Sequence, residues 1–423
     1  MDREILVYVD LQGAPHLVGR LWERTRRDRE GATFEYDRNW LTHPERFSLE
    51  PALTLGPGPF HTPSQKPLFG AIGDSAPDRW GRVLMRRAER RRAERAGQTP
   101  RTIREIDYLL LVDDETRQGG LRFAEREGGP FLAEHVQSER AVARIPPLIE
   151  LPRLLSAAEH VMSDTDSDED LHLLLAPGSS LGGARPKASV RDRDGFLAIA
   201  KFPNRGDEVS TVLWEAVALT LAAKAGIPAP SWRLEYVDAH PVLLLRRFDR
   251  DRQGRIPFLS AMSMLDAQDN ESRSYLEFVD ILRQHGAAPA EDEQALWRRI
   301  VFSILISNTD DHLRNHGFLW AGAAGWRLSP AYDLNPVPVD IKPRVLSTAI
   351  DLDDATASLD LAFSVAGYFG LDKKKARTVA AEVGQAASSW RAEAKKIGIG
   401  GAEIDRMASA FEHEDSKTAL RGG

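Results

Sequence analysis

Residues Ile300–Ile306 (IVFSILI) form an almost unbroken apolar run, and the polar string Asn308–Asn315 (NTDDHLRN) follows at once. A helix that is apolar on every side must be enclosed by other elements. The chain has the mass to do so: 423 residues, 42% of them hydrophobic, are enough for two or three ordinary domains. A buried helix that ends in a polar cluster commonly delivers that cluster into a cleft. The plainer reading is a capped helix end, with Asn308, Thr309 and Asp310 satisfying loose backbone donors. Capping accounts for one or two of these residues, and it leaves Asn315 and the downstream Asp333 of SPAYDLNP (Ser329–Pro336) unexplained.

The chain contains no cysteine, so disulfides, thiolate zinc sites, iron–sulfur clusters and cysteine nucleophiles are excluded. His312 and His316 sit four apart like a helical zinc pair, but Leu313 stands where H-E-x-x-H chemistry needs its glutamate base. The oxygen-rich set Asp310, Asn315 and Asp333 suits magnesium instead, which prefers carboxylates, carbonyls and phosphate oxygens. With 56 Lys+Arg against 63 Asp+Glu the formal charge is -7, so nucleic acid binding has to be local or borrowed from a partner. Met1–Asp10 lacks the basic start and apolar stretch of a secretory signal, and no apolar run approaches the ~20 residues of a membrane span. We therefore expect a soluble cytoplasmic protein.

Short strands are expected at Ile5–Val9, Leu17–Leu21 and Thr33–Tyr36, then a Pro- and Gly-rich loop over Pro51–Pro67. Ala76–Arg95 reads as a helix with Pro77 in its first turn, and its outer face carries Arg86, Arg87, Arg90, Arg91, Arg92 and Arg95. That face reads as a solvated surface with i,i+4 charge pairs, or as a local site for nucleic acid or an acidic partner. The acidic Ser163–Asp170 (SDTDSDED) reads as a mobile linker, with the main domain boundary near it. Beyond it, Ala188–Val190 and Phe196–Phe202 flank the hairpin signal Asp194–Gly195, Ser210–Ala225 is helical, and Leu234–Val237 and Val242–Leu245 form another strand pair. From Ser274 on, the pattern is mainly helical, so a small sheet lobe precedes a larger helical lobe.

Upstream of the hairpin lies Gly178–Lys187 (GSSLGGARPK), whose glycines allow close approach to phosphates, and Lys201 sits on the following strand as a fixed point charge. This is not a Walker A loop, since no Gly-Lys-Ser/Thr follows. Glu215, on the next helix, either holds Lys201 toward phosphates or is a solvated glutamate. Glycine loop, strand lysine, helix glutamate, aspartate, asparagine five residues later and a second aspartate is the parts order of a kinase.

On SSLGGARPKA (Ser179–Ala188), IAKFP (Ile199–Pro203), RRFDR (Arg246–Arg250), NTDDHLRNHGF (Asn308–Phe318) and SPAYDLNP, the chain resembles the HipA family. These are the serine/threonine kinase toxins of HipBA-type bacterial toxin–antitoxin pairs. FEYDRNWL (Phe34–Leu41) and LFGAIGDSAPDRWGRVLM (Leu68–Met85) resemble the family's N-terminal subdomain. The resemblance implies an α+β, protein-kinase-like bilobal fold, with a small β-rich lobe, a larger helical lobe and an N-terminal β-rich subdomain. It divides the chain into a subdomain at 1–125, a connection at 126–170 and a kinase core at 171–423, split near residue 250.

By resemblance, Asp310 is the catalytic aspartate, Asn315 and Asp333 are magnesium ligands, and His312 lies beside the nucleotide. Lys201 contacts its phosphates, with Glu215 positioning that lysine. Gly182, Gly183, Ala184, Arg185, Pro186 and Lys187 form the phosphate-covering loop, and Arg246, Arg247 and Phe248 the hinge that receives adenine. Ser180, or its neighbour Ser179, matches the autophosphorylated serine. Arg185 replaces an uncharged polar residue common in that loop, and Asp311 adds an acid beside Asp310. The implied cofactors are ATP and Mg2+, and the implied partners are a HipB-like helix-turn-helix antitoxin, DNA through that antitoxin, and a protein substrate such as an aminoacyl-tRNA synthetase. The alternatives are a small-molecule phosphotransferase and a mainly structural antitoxin-binding corepressor. Intact Lys201, Asp310, Asn315 and Asp333 weigh against the latter.

Overall fold

The computed structural model describes residues 3–26, 29–133, 145–175 and 183–421. Ser179, Ser180 and Gly182 lie outside the described residues. The chain divides into two units, residues 1–205 with 235–259, and residues 206–234 with 260–423.

The first unit opens with an antiparallel sheet in the order β4-β3-β2-β1-β5, from β1 (Glu4–Leu11), β2 (Ala14–Arg26), β3 (Arg29–Tyr36), β4 (Pro59–His61) and β5 (Leu121–Ala124). Gln12 and Gly13 turn β1 into β2 with φ of 54° and 82°, the mirror-image turn that matches strand twist. The Pro-rich loop holds one strand after all, because Pro59 sits at the first position of the edge strand β4, where no ladder donor is needed.

A second sheet, in the order β6-β7-β9-β8, comprises β6 (Lys187–Arg191), β7 (Leu197–Lys201), β8 (Trp232–Val237) and β9 (His240–Arg246). The β6–β7 hairpin turns at Asp194–Gly195, with Gly195 at φ 83°. Ala188, Val190, Ala198, Ala200 and Leu244 of this sheet share one core with Trp80 and Leu84, with Leu154 and Ala158, and with Leu171 and Leu174. Three helices therefore lie in this core: Arg79–Arg95, Leu151–Met162 and Asp168–Leu175.

That packing corrects two expectations. Pro77 lies just before the first of these helices, and Asp78 caps it by accepting from the Gly81 N–H at 2.8 Å. The acidic stretch is ordered: Asp166, 5% exposed, accepts from Arg87 at 2.5 Å and from Arg91 at 3.1 Å, and Asp168 opens a helix and pairs with Arg95 at 3.2 Å. Arg82 pairs with Glu105 at 2.8 Å and Arg92 with Glu89 at 2.7 Å. Arg87, Arg91 and Arg95 thus answer acids distant in sequence, which neither charge run reveals alone.

The unit is tied together by a buried charge knot. Arg247, 2% exposed, donates to Asp249 at 2.8 Å and 2.5 Å and to the carbonyls of Thr116 and Arg117, while Asp249, 1% exposed, also accepts from the Gly119 N–H at 2.8 Å and from Arg250 at 2.9 Å. Burial alone would raise the Asp249 carboxyl, but the guanidiniums of Arg247 and Arg250 outweigh it and hold it below the ordinary carboxylate range. Nearby Arg117, fully buried and pushed down to about 10 by burial, donates to the carbonyls of Ser75, Leu109 and Val112.

In the second unit, the helix Thr211–Lys224 is buried on nearly every side, as is the second half of the helix Pro289–Leu305. The latter does not end through side-chain caps from Asn308, Thr309 or Asp310. Ser307 takes φ 51°, and the N–H groups of Asn308 and Ser307 close on the carbonyls of Ser303 at 2.9 Å and Ile304 at 3.3 Å. At this end the loose groups are carbonyls, so the capping role proposed for Asn308, Thr309 and Asp310 has nothing to act on. After it the chain is irregular as far as Ser358, apart from short turns and the hairpin Gly317–Trp320 with Trp326–Leu328. Helices resume at Leu359. Among the described residues, no helix is long and apolar enough to cross a membrane.

Asp249→Ala leaves buried guanidiniums without their carboxylate, and removing one partner of such a pair costs about 3–5 kcal/mol. Urea unfolding followed by circular dichroism should show a loss of that size, against a change within about 0.5 kcal/mol for Arg252→Ala at an exposed position. The contribution of a carboxyl held low is complete at neutral pH and lost as pH falls through its folded value. A loss under about 1 kcal/mol in Asp249→Ala would show that the knot behaves like a surface pair.

Candidate active site

The second unit brings together Asp310, His312, Asn315 and Asp333 without placing any of them on a regular helix or strand. His312 caps a single 3-10 turn, Leu313–Asn315, so it and His316 do not form a helical zinc pair. The His316 ring is instead buried between those of Tyr275 and Phe278, both 5.3 Å away, and burial, with Arg299 nearby, pushes its pKa down to about 3.

Asn315 donates to the Asp310 carbonyl at 2.7 Å, joining the two ends of the polar string. Asp333 is tied to the same string through its neighbours. Asn335 donates to the Asp333 side chain at 3.3 Å, its own N–H donates to Asn308 at 3.0 Å, and the Tyr332 hydroxyl donates to the Arg314 carbonyl at 2.7 Å. Asp333 itself takes φ 56°, a left-handed conformation that costs free energy in a non-glycine residue and clusters at functional sites.

The two consecutive acids face opposite ways. Asp310 is exposed, whereas Asp311 is 1% exposed and accepts from the Tyr275 hydroxyl and from the Ser347 N–H at 2.6 Å. Burial pushes the Asp311 carboxyl up to about 6, against the lowering effect of those donors. Asp311 therefore does not add its charge to the surface that Asp310 occupies.

Three side-chain atoms in residues 309–315 are buried without a hydrogen-bond partner: Thr309 Oγ1, His312 Nδ1 and Asn315 Oδ1. Buried polar atoms are nearly always paired, so such a cluster marks a place built for a ligand. The Asn315 oxygen and the Asp333 carboxylate are oxygen donors of the kind magnesium takes, with phosphate and water filling the other positions. Among the described residues there is no group of three or more His, Asp and Glu arranged to hold a metal. Tyr275, Asn335, Lys342 and Ser347 were not legible as site residues, since each acts through contacts 27 or more positions away.

The first unit carries the other candidates. Gly183 has φ 93°, Ala184 and Arg185 are exposed, and Pro186 leads into β6. Lys187 is 3% exposed and gives its ammonium to Asp78 at 2.8 Å and to the Gly183 carbonyl at 3.3 Å, so it is engaged within the unit and is not a loose phosphate donor. Lys187 lies directly opposite Lys201 in the ladder. Like charges so placed repel, and Asp78 neutralises one of them while Lys201 stays partly exposed. Trp80 braces the same loop end, its indole N–H donating to the Lys187 carbonyl at 3.0 Å.

Of the hinge segment, Arg247 is sealed in the knot, Arg246 lies 3.4 Å over the Phe196 ring, and Phe248 is half-buried 6.2 Å from Phe258. The Arg247 side chain is therefore committed inside the unit, while Arg246 is held over a ring with its side chain partly exposed. In the second unit, Glu215 is 3% exposed, so it is not a solvated glutamate.

The family model for the HipA-like C-terminal domain matches residues 179–390, half of the chain. The chain is 26% identical over 350 residues to the protein named "Putative kinase Y4mE" of Sinorhizobium fredii, covering 75% of each. It is also 26% identical over 117 residues to a Haemophilus influenzae protein named "Putative kinase", covering 25% of this chain and 34% of that protein. Its fold matches a chain from the complex of HipA, HipB and operator DNA of Shewanella oneidensis MR-1, with a TM-score of 0.66 and 15% identity over 99% of this chain and 96% of that one. The mixed α and β architecture with antiparallel sheets is thus shared over nearly the whole length. On the match of half its length to that family model, the protein belongs to the HipA-like family.

Proposed function

We propose that this protein is an ATP- and magnesium-dependent serine/threonine protein kinase, with residues 1–125 as a HipA-type N-terminal subdomain and 171–423 as the kinase core. The observation that carries the reading is the buried, unpartnered Asn315 oxygen, in a residue whose amide holds the loop bearing exposed Asp310. In this reading Asp310 orients the acceptor hydroxyl and takes its proton, while Lys201 meets the nucleotide phosphates, Glu215 steadies that lysine and His312 lies beside the nucleotide. Asn315 and Asp333 hold magnesium, which neutralises phosphate charge as the γ-phosphoryl group is transferred. The residues 182–187 cover the phosphates, and Arg246–Phe248 receive adenine. Catalysis then rests on positioning and charge, with no covalent enzyme intermediate.

The match to a chain from a HipA–HipB–operator complex supports a HipB-like antitoxin as partner, with DNA reached through it. The net charge of -7 supports the same indirect route. The substrate we propose is a protein, with an aminoacyl-tRNA synthetase as the class to test first, and the site of action is the cytoplasm.

Removing a single electrostatic stabiliser typically costs roughly 10²–10³ in turnover. Asp310→Asn should lose phosphoryl transfer by that factor while still binding ATP, measured as protein phosphorylation and by calorimetry. Unchanged transfer would remove Asp310 from the mechanism. In Asp333→Asn the rise in melting temperature that Mg·ATP gives the wild type should disappear, and a full rise would exclude Asp333 as a metal ligand. After incubation with Mg·ATP, mass spectrometry should find phosphate on Ser180 or Ser179 in the active chain and none in Asp310→Asn. Phosphate elsewhere only would end the autophosphorylation assignment.

A further inference from the structure

The segment that bears Asp310 has no ladder or helix to hold it, yet three consecutive carbonyls in it are taken by side chains. The Thr309 carbonyl accepts from Lys342 at 3.0 Å and from the Ser347 hydroxyl at 2.9 Å, and the Asp310 carbonyl accepts from Asn315 at 2.7 Å. The Asp311 carbonyl accepts from the Thr348 hydroxyl at 2.7 Å and lies 3.1 Å from the His316 Nε2. Asp311 is the one residue here pinned by both carbonyl and carboxylate, since the latter receives the Tyr275 hydroxyl and the Ser347 N–H.

Asp310 is exposed and Asp311 is buried, so the two side chains leave their shared peptide in different directions, and holding Asp311 inward constrains the orientation of Asp310. The inward side is densely built: Asp311 lines a small cavity of about 20 Å³ together with Arg299, Ser303, Asn308, Asn315 and His316. Tyr275 belongs to the helix Tyr275–His285, and Ser347 and Thr348 to the irregular stretch beyond Asp333, so two separate parts of the unit converge on this one residue.

We infer that Asp311 is the positioning residue of the phosphoryl-transfer site: its contacts with Tyr275, Ser347 and Thr348 set the direction in which Asp310 presents its carboxylate. The inference rests on the kinase reading and deepens it. Asp311 touches neither nucleotide nor acceptor and acts through the peptide it shares with Asp310. A misplacement of about 1 Å at a reacting group costs up to roughly 10²-fold in rate, whereas most of the groups proposed to bind the nucleotide, Lys201, residues 182–187 and Arg246–Phe248, lie outside this segment. The signature is therefore a fall in kcat with ATP affinity kept.

The test uses the full chain with Mg·ATP, reading the saturated rate of ADP formation and, separately, the Kd of Mg·ATP by calorimetry. Asp311→Ala should lower the saturated rate about 10- to 100-fold while the Kd stays within about threefold. Asp311→Asn keeps an oxygen acceptor and should recover the rate to within about fivefold of wild type. Tyr275→Phe removes one hydroxyl donor without opening a cavity, so it carries the test if Asp311→Ala does not fold, and its rate should fall about threefold or more at unchanged Kd. A wild-type rate in either Asp311→Ala or Tyr275→Phe overturns the inference, as does a loss that lies wholly in Kd or an Asn variant no better than Ala. Each of these results leaves the kinase reading standing. If the wild type neither binds nor turns over Mg·ATP, the kinase reading fails and takes the inference with it.

Discussion

The first unit depends on a charge knot that has no solvent to support it. Arg247 and Asp249, both essentially inaccessible, sit between the segment that leaves the second sheet and the segment Thr116–Gly119 that precedes β5. Transferring such groups out of water is costly, and it is offset only when every donor and acceptor finds a partner. Here the carboxylate meets two guanidiniums and a backbone N–H, and the guanidiniums take up five backbone carbonyls. The consequence is organisational. The N-terminal sheet and the sheet that carries Lys201 belong to one unit, and the pairs Lys187–Asp78 and Arg87–Asp166 repeat the same device along it.

A different principle organises the second unit around Asn308–Asn315. A helix whose second half is buried stops at a left-handed Ser307, and in the irregular segments before and after the following hairpin side chains bond to backbone carbonyls. Side-chain contacts can hold angles that no regular element offers, including the positive φ of Asp333. Loops held in this way combine the irregular shape that a ligand demands with the rigidity that positioning demands. The buried polar atoms left unpaired at Thr309, His312 and Asn315 are the local cost of such a site.

The arginine-rich helix shows how charge can mislead when read locally. Six arginines in ten residues suggest a polyanion, but the acids that answer four of them come from Asp164–Asp168 and Glu89. The acidic stretch around Asp164–Asp168 suggested a mobile linker when read alone. Opposite runs some 75 residues apart neutralise each other and become one packed surface.

The sequence by itself determined the elements whose signals are short-range. The Asp194–Gly195 hairpin, the helix after Ser210 with its Gly226 stop, the strands flanking Gly13, and the buried helix before Asn308 all follow from turn chemistry and hydrophobic period, which act over a few residues. The motif order also carried the family, because that order survives without coordinates. Only the tertiary structure decided which charges are functional surface and which are internal ties. Lys187, Arg247, Asp311 and Asp166 read in sequence as parts of a loop, a hinge, a polar string and a linker, yet each is buried against a partner at least 36 positions away, and Arg247 meets the nearby Asp249 as well. A charge carries no periodic signature of its partner, so its role is settled by the electrostatics of the place where the folded chain puts it.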